Sequence, residues 1–400
     1  MKRVYAAYYI VLLLLISVCP GLKSQDLFVD AAGERIQVCT DRTMYVSGEK
    51  IFFSTVIFNK KGLIAEEFSR TFYCELITPD GNKIASRKYL LNNSSGQGCI
   101  GIPEETITGI YFLKFYTRFM RNIGTDEYKY ILLKIINPYK TEVLSGNDIL
   151  DTTDLSEKNK EVQEGAPSLN ILSGRKIFSP REEIRLSIKE NTGKRSPARI
   201  CISVIPESTY RYSVPPVKTK KNEEKSGVYF PETRGISLSG QLIAKESGKP
   251  VPAAKVNLSI IGDKDILVVR TDAKGRFFFA LPDYYGTKDI FLCADDLPDI
   301  TPEIFIDNDF CSRPVYLPSP RLVLDEDEMK AAFKLAVNSS ITSMFRGDTL
   351  ADSRGEENKT SFYGKPSGVL LIDKYIDMPT LGEYFTDLPG EVKLRKIQGS

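Results

Sequence analysis

The stretch Val46-Ser47-Gly48-Glu49-Lys50-Ile51-Phe52-Phe53-Ser54-Thr55-Val56-Ile57 decides how the chain is read. Ser47-Gly48 is turn chemistry. After it, Ile51, Phe53, Thr55 and Ile57 recur at every second residue, which places them on one face of a strand. Phe72, Cys74 and Leu76 repeat the pattern before the turn Thr78-Pro79-Asp80-Gly81-Asn82. Tyr111, Leu113, Phe115 and Thr117 repeat it after Thr108-Gly109, and a largely apolar strand from Tyr128 to Ile136 follows. Short period-two strands at such spacing argue for a β-sandwich over residues 26–138.

Beyond it, 139–167 is polar and acidic and reads as a linker. A second β unit is expected over 168–213, where Ile184, Leu186 and Ile188 alternate, as do Ile200, Ile202 and Val204. Few strands fit there, so this unit is either small or completed by something else. Residues 214–234 read as another linker. Lys218, Lys220, Lys221 and Lys225 cluster in it, but Glu223 and Glu224 sit among them, so a solvated loop is favoured over a basic patch. A third β unit spans 235–317. Val256, Leu258 and Ile260 alternate, and Asp272-Ala273-Lys274-Gly275 turns into Arg276-Phe277-Phe278-Phe279. Over 325–345 apolar residues recur at helical spacing, from Met329, Ala332 and Phe333 to Ile341 and Met344, after an acidic first turn. A final segment occupies 361–400.

The bulk numbers agree with several folded domains. Four hundred residues correspond to roughly two to four domains at about 100–200 each. Hydrophobic content of 42% and charged content of 26% are globular values. Of the 54 bases, three (Lys2, Arg3 and Lys23) fall in the acid-free stretch Met1–Ser24. Without them 51 bases face 52 acids, which excludes an electrostatic case for nucleic acid. There is no histidine, which removes Ser-His-Asp and Cys-His catalysis and every His-ligated zinc pattern. There is no tryptophan either, so a sugar-stacking surface must use Tyr or Phe.

Residues 1–24 read as a secretory signal. Lys2 and Arg3 precede an apolar run of 11 residues, Tyr8 to Val18, too short to span a bilayer. Cleavage after Ser24 leaves Gln25 first. The alternative is lipidation of Cys19, since Ile16-Ser17-Val18-Cys19 looks like a lipobox, with Val where a small residue is expected. No later segment is long and apolar enough for a spanning helix. Cys39, Cys74, Cys99, Cys201, Cys293 and Cys311 then remain. They contain no CxxC, and fifteen disulfide pairings are open. Cys201, in the alternating run Ile200–Val204, reads as a small buried residue on a strand.

Three resemblances refine this reading. Asp41-Arg42-Thr43-Met44-Tyr45-Val46-Ser47-Gly48-Glu49-Lys50-Ile51-Phe52-Phe53 resembles the start of macroglobulin-type Ig-like domains, and Gly109–Asn122 resembles the closing strands of versions exported by Gram-negative bacteria. Phe178–Leu186 is similar to the opening of a second such unit. Ser239-Gly240-Gln241-Leu242, Gly248-Lys249-Pro250-Val251 through Val256, and Thr271-Asp272-Ala273-Lys274-Gly275-Arg276-Phe277 resemble carboxypeptidase regulatory-like, transthyretin-type domains. Tyr363-Gly364-Lys365-Pro366 through Ile376, with Val392–Lys396, looks like the start of a TonB-receptor plug. No cysteine has the Cys-Gly-Glu-Gln context of the macroglobulin thioester, so covalent trapping is not implied. The fold class expected is mainly β: tandem Ig-like and transthyretin-like β-sandwiches with one helix and a truncated α+β plug-like C-terminal segment.

Candidate sites are few. Acid pairs such as Glu104-Glu105 and Asp325–Glu328 fall in turns and at a helix start, where a structural role is expected rather than glycoside hydrolysis. Asp295, Asp296, Asp299, Asp307 and Asp309 are oxygen-rich, as calcium prefers, but lack a glycine-containing cage. Tyr210, Tyr212, Tyr284 and Tyr285 are the candidate interaction residues, weighed against packing roles. No catalytic residue, cofactor or metal is expected. The function expected is that of a non-catalytic cell-envelope scaffold, exported to the periplasm or outer membrane. Its partners are expected to be outer-membrane, TonB-dependent or other envelope proteins. The alternative is a receptor-associated protein that captures an extracellular peptide or glycan.

Overall fold

In a computed structural model of the chain, the residues described are 33–59, 69–146, 169–175, 177–190, 200–211, 229–284, 288–295, 300–315, 317–355, 371, 379–380 and 382–384. The expected leader, Tyr212, Tyr285, most of 361–400 and much of the two linkers lie outside them. The protein is mainly β, with tandem β-sandwiches and one long helix.

The first sandwich faces a three-stranded sheet against a five-stranded one. The smaller sheet has the order β1-β3-β6, from Glu34–Thr40, Lys50–Asn59 and Ser95–Gly101. The larger has the order β2-β8-β7-β4-β5. Its strands are Met44–Val46, Lys129–Ile136, Gly109–Tyr116, Thr71–Ile77 and Lys83–Leu90. Ile51, Phe53, Thr55 and Ile57 point inward from β3 and are buried, as the period-two reading requires. They meet Phe72, Leu113 and Phe115 across the interface. Phe53 touches Phe72 and Phe115 edge to face, with centroids 6.1 and 5.0 Å apart.

Strands β4 and β7 are buried on both faces. Their outward residues pair directly: Tyr73 lies opposite Tyr116 and Glu75 opposite Lys114. The tyrosine rings stack at 5.1 Å and Lys114 Nζ lies 3.0 Å from Glu75. What covers them is sequence-distant chain. Cys311, Val315 and Leu317 belong to the core of this sandwich, and Phe310 packs edge-on against Tyr73 at 5.5 Å. From the other side Glu232 accepts a hydrogen bond from Tyr73 Oη at 2.8 Å, and Asn122 Nδ2 donates to the Tyr229 carbonyl at 2.6 Å.

The third region forms a smaller sandwich of two three-stranded sheets, β14-β11-β16 and β13-β12-β15. The first holds Arg276–Ala280, Ser237–Ala244 and Pro302–Ile306. The second holds Ile266–Arg270, Lys255–Ile260 and Ile290–Ala294. Leu242, Val256, Leu258, Ile260, Phe277 and Phe279 form its core. At the turn before β14, Gly275 takes φ +68° and its amide donates to the Asp272 carbonyl at 3.0 Å. The Asp272 carboxylate accepts from the Lys274 and Arg276 amides, both at 2.8 Å, which holds its pKa below the ordinary range. After β16 the chain leaves this sandwich and returns to the first one, so Phe310, Cys311, Val315 and Leu317 pack on the first core although they fall within the 235–317 expected of the third unit.

Between the sandwiches, β9 (Leu169–Ser173) and β10 (Leu186–Glu190) form an isolated antiparallel pair. Ile171, Leu172, Ile184 and Leu186 are exposed. Ile200, Ile202 and Val204 are exposed too, and 200–204 is not a strand. Cys201 is accordingly exposed rather than buried. The small residues of this run face the first sandwich instead: Ser203 Oγ donates to the Asp41 carbonyl at 3.1 Å.

The helix α1 runs from Glu326 to Gly355, ten residues past the expected end. Its apolar periodicity stops at Phe345, but no proline interrupts 326–355. A capping box starts it: the Glu328 amide donates to Asp325 Oδ1 at 2.8 Å and the Asp325 amide to Glu328 Oε2 at 3.0 Å. Ala332 and Leu335 pack on Met44 and Val46, and Lys134 Nζ holds Glu328 at 2.7 Å. Met329, Phe333, Ile341 and Met344 face outward.

Candidate interaction cleft

Strands β5 and β6 are consecutive in the chain but end different sheets of the first sandwich. Where they meet the start of the third unit they bound a cleft of about 1320 Å³. β6 carries Gly96 and Gly98 on its inner side. A Cβ on Gly98 would lie 2.4 Å from Tyr89 Cε1, and one on Gly96 2.5 Å from Phe72 Cε1. The missing side chains let both rings press against the β6 backbone. Tyr89 stacks on Phe72 at 5.2 Å and donates its hydroxyl to the Cys99 carbonyl at 2.7 Å. Tyr89 therefore lines the cleft with its ring backed by the buried Phe72.

Its walls are polar. Arg70, Arg87, Lys88 and Gln97 line it from the first sandwich, and Asp283 and Tyr284 from the third unit. Arg70 Nη2 lies 3.6 Å from Asp283 Oδ2, and both are about half exposed, so screening leaves this pair little weight. Lys88 is more firmly held. Its Nζ donates to the Ser237 carbonyl at 3.0 Å and pairs with Asp309. Tyr284 Oη donates to Asp265 Oδ2 at 2.7 Å. Local desolvation and the carboxylates of Asp265 and Asp263 raise its pKa, so the phenol stays protonated and can donate.

Of the four tyrosines singled out from the sequence, Tyr284 lines the cleft. Tyr210 follows the short 3₁₀ turn Glu207–Thr209, which packs near α1, and the two are not brought together. Tyr212 and Tyr285 lie outside the described residues. The basic wall escaped sequence reading because Arg70 lies apart from the Arg87-Lys88 pair of β5 in the chain, and only the sandwich edge gathers them.

Asp295, Asp307 and Asp309 of the acidic run do not converge, and Asp296 and Asp299 lie outside the described residues. Asp295 accepts from Asn257 Nδ2 at 2.7 Å, Asp307 from Arg276 Nη1 at 2.9 Å, and Asp309 pairs with Lys88. Among the described residues no group of three or more His, Cys, Asp or Glu is arranged to hold a metal ion. Among them, no helix is long and apolar enough to cross a membrane.

No family model matches the chain, and no curated protein matches it. Among solved structures it is similar to Salmonella alpha-2-macroglobulin reacted with methylamine, at 12% identity and TM-score 0.22, over 69% of this chain and 14% of that one. E. coli alpha-2-macroglobulin in its native conformation gives 12% identity and TM-score 0.22, over 70% and 14%. Dimeric latent PorU from Porphyromonas gingivalis gives 11% and 0.21, over 69% and 34%. The chain thus spans about a seventh of either macroglobulin, and likenesses at this level say nothing of function.

Proposed function

We propose that this chain is a non-catalytic scaffold of the cell envelope, exported through its N-terminal leader, that engages an outer-membrane or TonB-dependent partner through the cleft at the β5–β6 edge. The observation that supports the reading is the cleft itself. It is concave, carries Tyr89 in its lining, held by a stack on the buried Phe72, and presents both charge signs on walls from two units. Surfaces that recognise proteins combine such aromatic anchors with arginine. Macroglobulin-type, carboxypeptidase regulatory-like and plug-like character for the successive units belongs to the same proposal. It rests on the motifs Asp41–Phe53, Ser239–Phe277 and Tyr363–Lys396.

Capture of an extracellular peptide is the second reading. Two terminal strands flank the cleft, and an extended peptide can add to a sheet edge. The experiment uses the full chain immobilised, with an Arg87→Glu, Tyr284→Ala variant beside it. Outer-membrane extracts and a peptide library are passed over both. A defined outer-membrane protein retained by the wild type and lost by the variant supports the first reading. Retention of peptides alone moves the assignment to the second. Equal retention by both chains removes the cleft from either.

A further inference from the structure

Two cysteines that sequence leaves unpaired are brought together by the fold. Cys39 lies on β1, where the side chains alternate between buried and exposed, and it points away from the core. Cys201 lies in the irregular segment that runs past this edge of the sandwich, and both residues are exposed. The two segments run side by side, in one register from Cys39 and Cys201 to Asp41 and Ser203, after which the 3₁₀ turn Glu207–Thr209 shifts the offset. The Cys39 and Cys201 thiols are hydrogen-bonding neighbours, and two residues on, Ser203 Oγ donates to the Asp41 carbonyl at 3.1 Å. Further on, the Thr43 amide donates to the Thr209 carbonyl at 3.0 Å and the Arg211 amide to Thr43 Oγ1 at 2.8 Å.

The other thiols are poorly placed for either of these. Cys39 sits opposite Ser54 on one side of β3, and Cys99 opposite Phe52 on the other. Two strand spacings therefore separate them, about 9–10 Å, beyond the roughly 7 Å between Cα atoms that a disulfide spans. Cys74 and Cys311 are buried in the first sandwich, and Cys293 lies on β15 of the third unit beside Asn257.

We propose that Cys39 and Cys201 form a disulfide that staples the Ile200–Arg211 segment to the first sandwich. The oxidant is a disulfide-bearing molecule, such as a thiol oxidoreductase or oxidised glutathione. One thiolate of the pair attacks it. The oxidant's S–S bond breaks, one of its halves leaves as a thiol, and a mixed disulfide forms. The second thiolate then displaces the other half. The two protons given up by the cysteine thiols are taken up, by way of solvent, by the two leaving thiolates, and two electrons reduce the oxidant to two thiols. Local desolvation and the neighbouring Cys201 raise the Cys39 pKa, so the thiolate is scarce near neutrality and the step quickens as pH rises. The bond would fasten a segment whose Ile200, Ile202 and Val204 face solvent and contribute little to holding it.

The test uses the purified full chain, reduced and then incubated with oxidised glutathione. Remaining thiols are alkylated and the unreduced digest is mapped by mass spectrometry. The expected result is one linked pair of peptides holding Cys39 and Cys201, lighter by two hydrogens than the two reduced peptides together and lost on reduction. The chain then shows a loss of two alkylatable thiols. Cys99→Ser retains the link, whereas Cys39→Ser leaves Cys201 alkylated or as a glutathione adduct. Recovery of both wild-type residues alkylated, each only as a glutathione adduct, or either joined to another cysteine overturns the proposal. Since the wild-type map decides it, misfolding of a variant does not matter.

Discussion

The amide of Cys311 donates to the hydroxyl oxygen of Tyr116 at 2.7 Å, across 195 residues of sequence. The same hydroxyl donates to Glu75 Oε1 at 2.7 Å, and Lys114 Nζ donates to the Cys311 carbonyl at 3.3 Å. One buried polar cluster thus ties the chain returning from the third unit to the outer face of β4 and β7. Each of its groups is satisfied by another, and removing one leaves its partner desolvated and unpaired.

Tyr116→Phe tests this tie. The ring and its stack on Tyr73 survive, but a buried amide loses its acceptor and Glu75 a donor. The expected cost is about 1–3 kcal/mol, read as a lower urea midpoint at unchanged slope. A change within about 0.5 kcal/mol, typical of surface sites, means that the return segment is not docked.

The register of β14 is open to a paired test. Phe277 is 2% exposed and Phe278 48%. Phe277→Ala should cost about 3–5 kcal/mol in the unfolding transition of the third sandwich. Phe278→Ala should cost less than about 1 kcal/mol, as a half-exposed side chain. Reversed magnitudes mean a slip of one residue, which exchanges the faces.

Gly98 and Tyr89 should prove coupled. The Tyr89 ring is held by its stack on Phe72 and its bond to Cys99, so it cannot yield cheaply to a Cβ 2.4 Å away. Gly98→Ala should cost about 1–3 kcal/mol through overpacking. Combined with Tyr89→Ala it should cost less than the sum of the single changes. Strict additivity defeats the contact.

Glu34 sets a pH dependence. It is buried and accepts from the Ser69 amide at 2.9 Å, Ser69 Oγ at 3.1 Å and Thr117 Oγ1. Burial pushes its pKa up from 4.5, and these bonds only partly offset that. Above pH 4.5 the native state therefore holds this proton more tightly than the unfolded chain. Its stabilisation is present below that pH and is lost as pH rises through the native pKa. Denaturant midpoints measured across this window should show Glu34→Gln with a shallower decline than the wild type. Parallel profiles exclude Glu34 as the source.

The full chain should show no peptidase, esterase or glycosidase turnover, with or without divalent metal. No histidine is present to activate a nucleophile. One lysine departs from the solvated placement expected of these residues. Lys114 is buried, but its Nζ is engaged by Glu75 and the Cys311 carbonyl. Reproducible turnover that disappears in Lys114→Ala, or on replacing one named carboxylate, would send the assignment back to catalysis.

Sequence by itself determined the mainly β class and the inner faces of both sandwiches. Period-two alternation is a local consequence of strand geometry, and it identified Ile51, Phe53 and Ile57 in the first core and Val256, Leu258, Phe277 and Phe279 in the third unit. It also located the turn at Gly275 and the acidic start of the helix. Alternation failed at Ile200, Ile202 and Val204, because periodicity says which residues share a face and not what that face meets. Tertiary structure alone decided that Tyr73 and Glu75 are buried beside the returning segment that carries Phe310 and Cys311. It alone gathered Arg70, Arg87, Lys88 and Tyr284 around one cleft, and it alone set Cys201 beside Cys39. Each of these joins residues far apart in sequence, and such contacts depend on how whole sheets and returning segments pack, which no local pattern encodes.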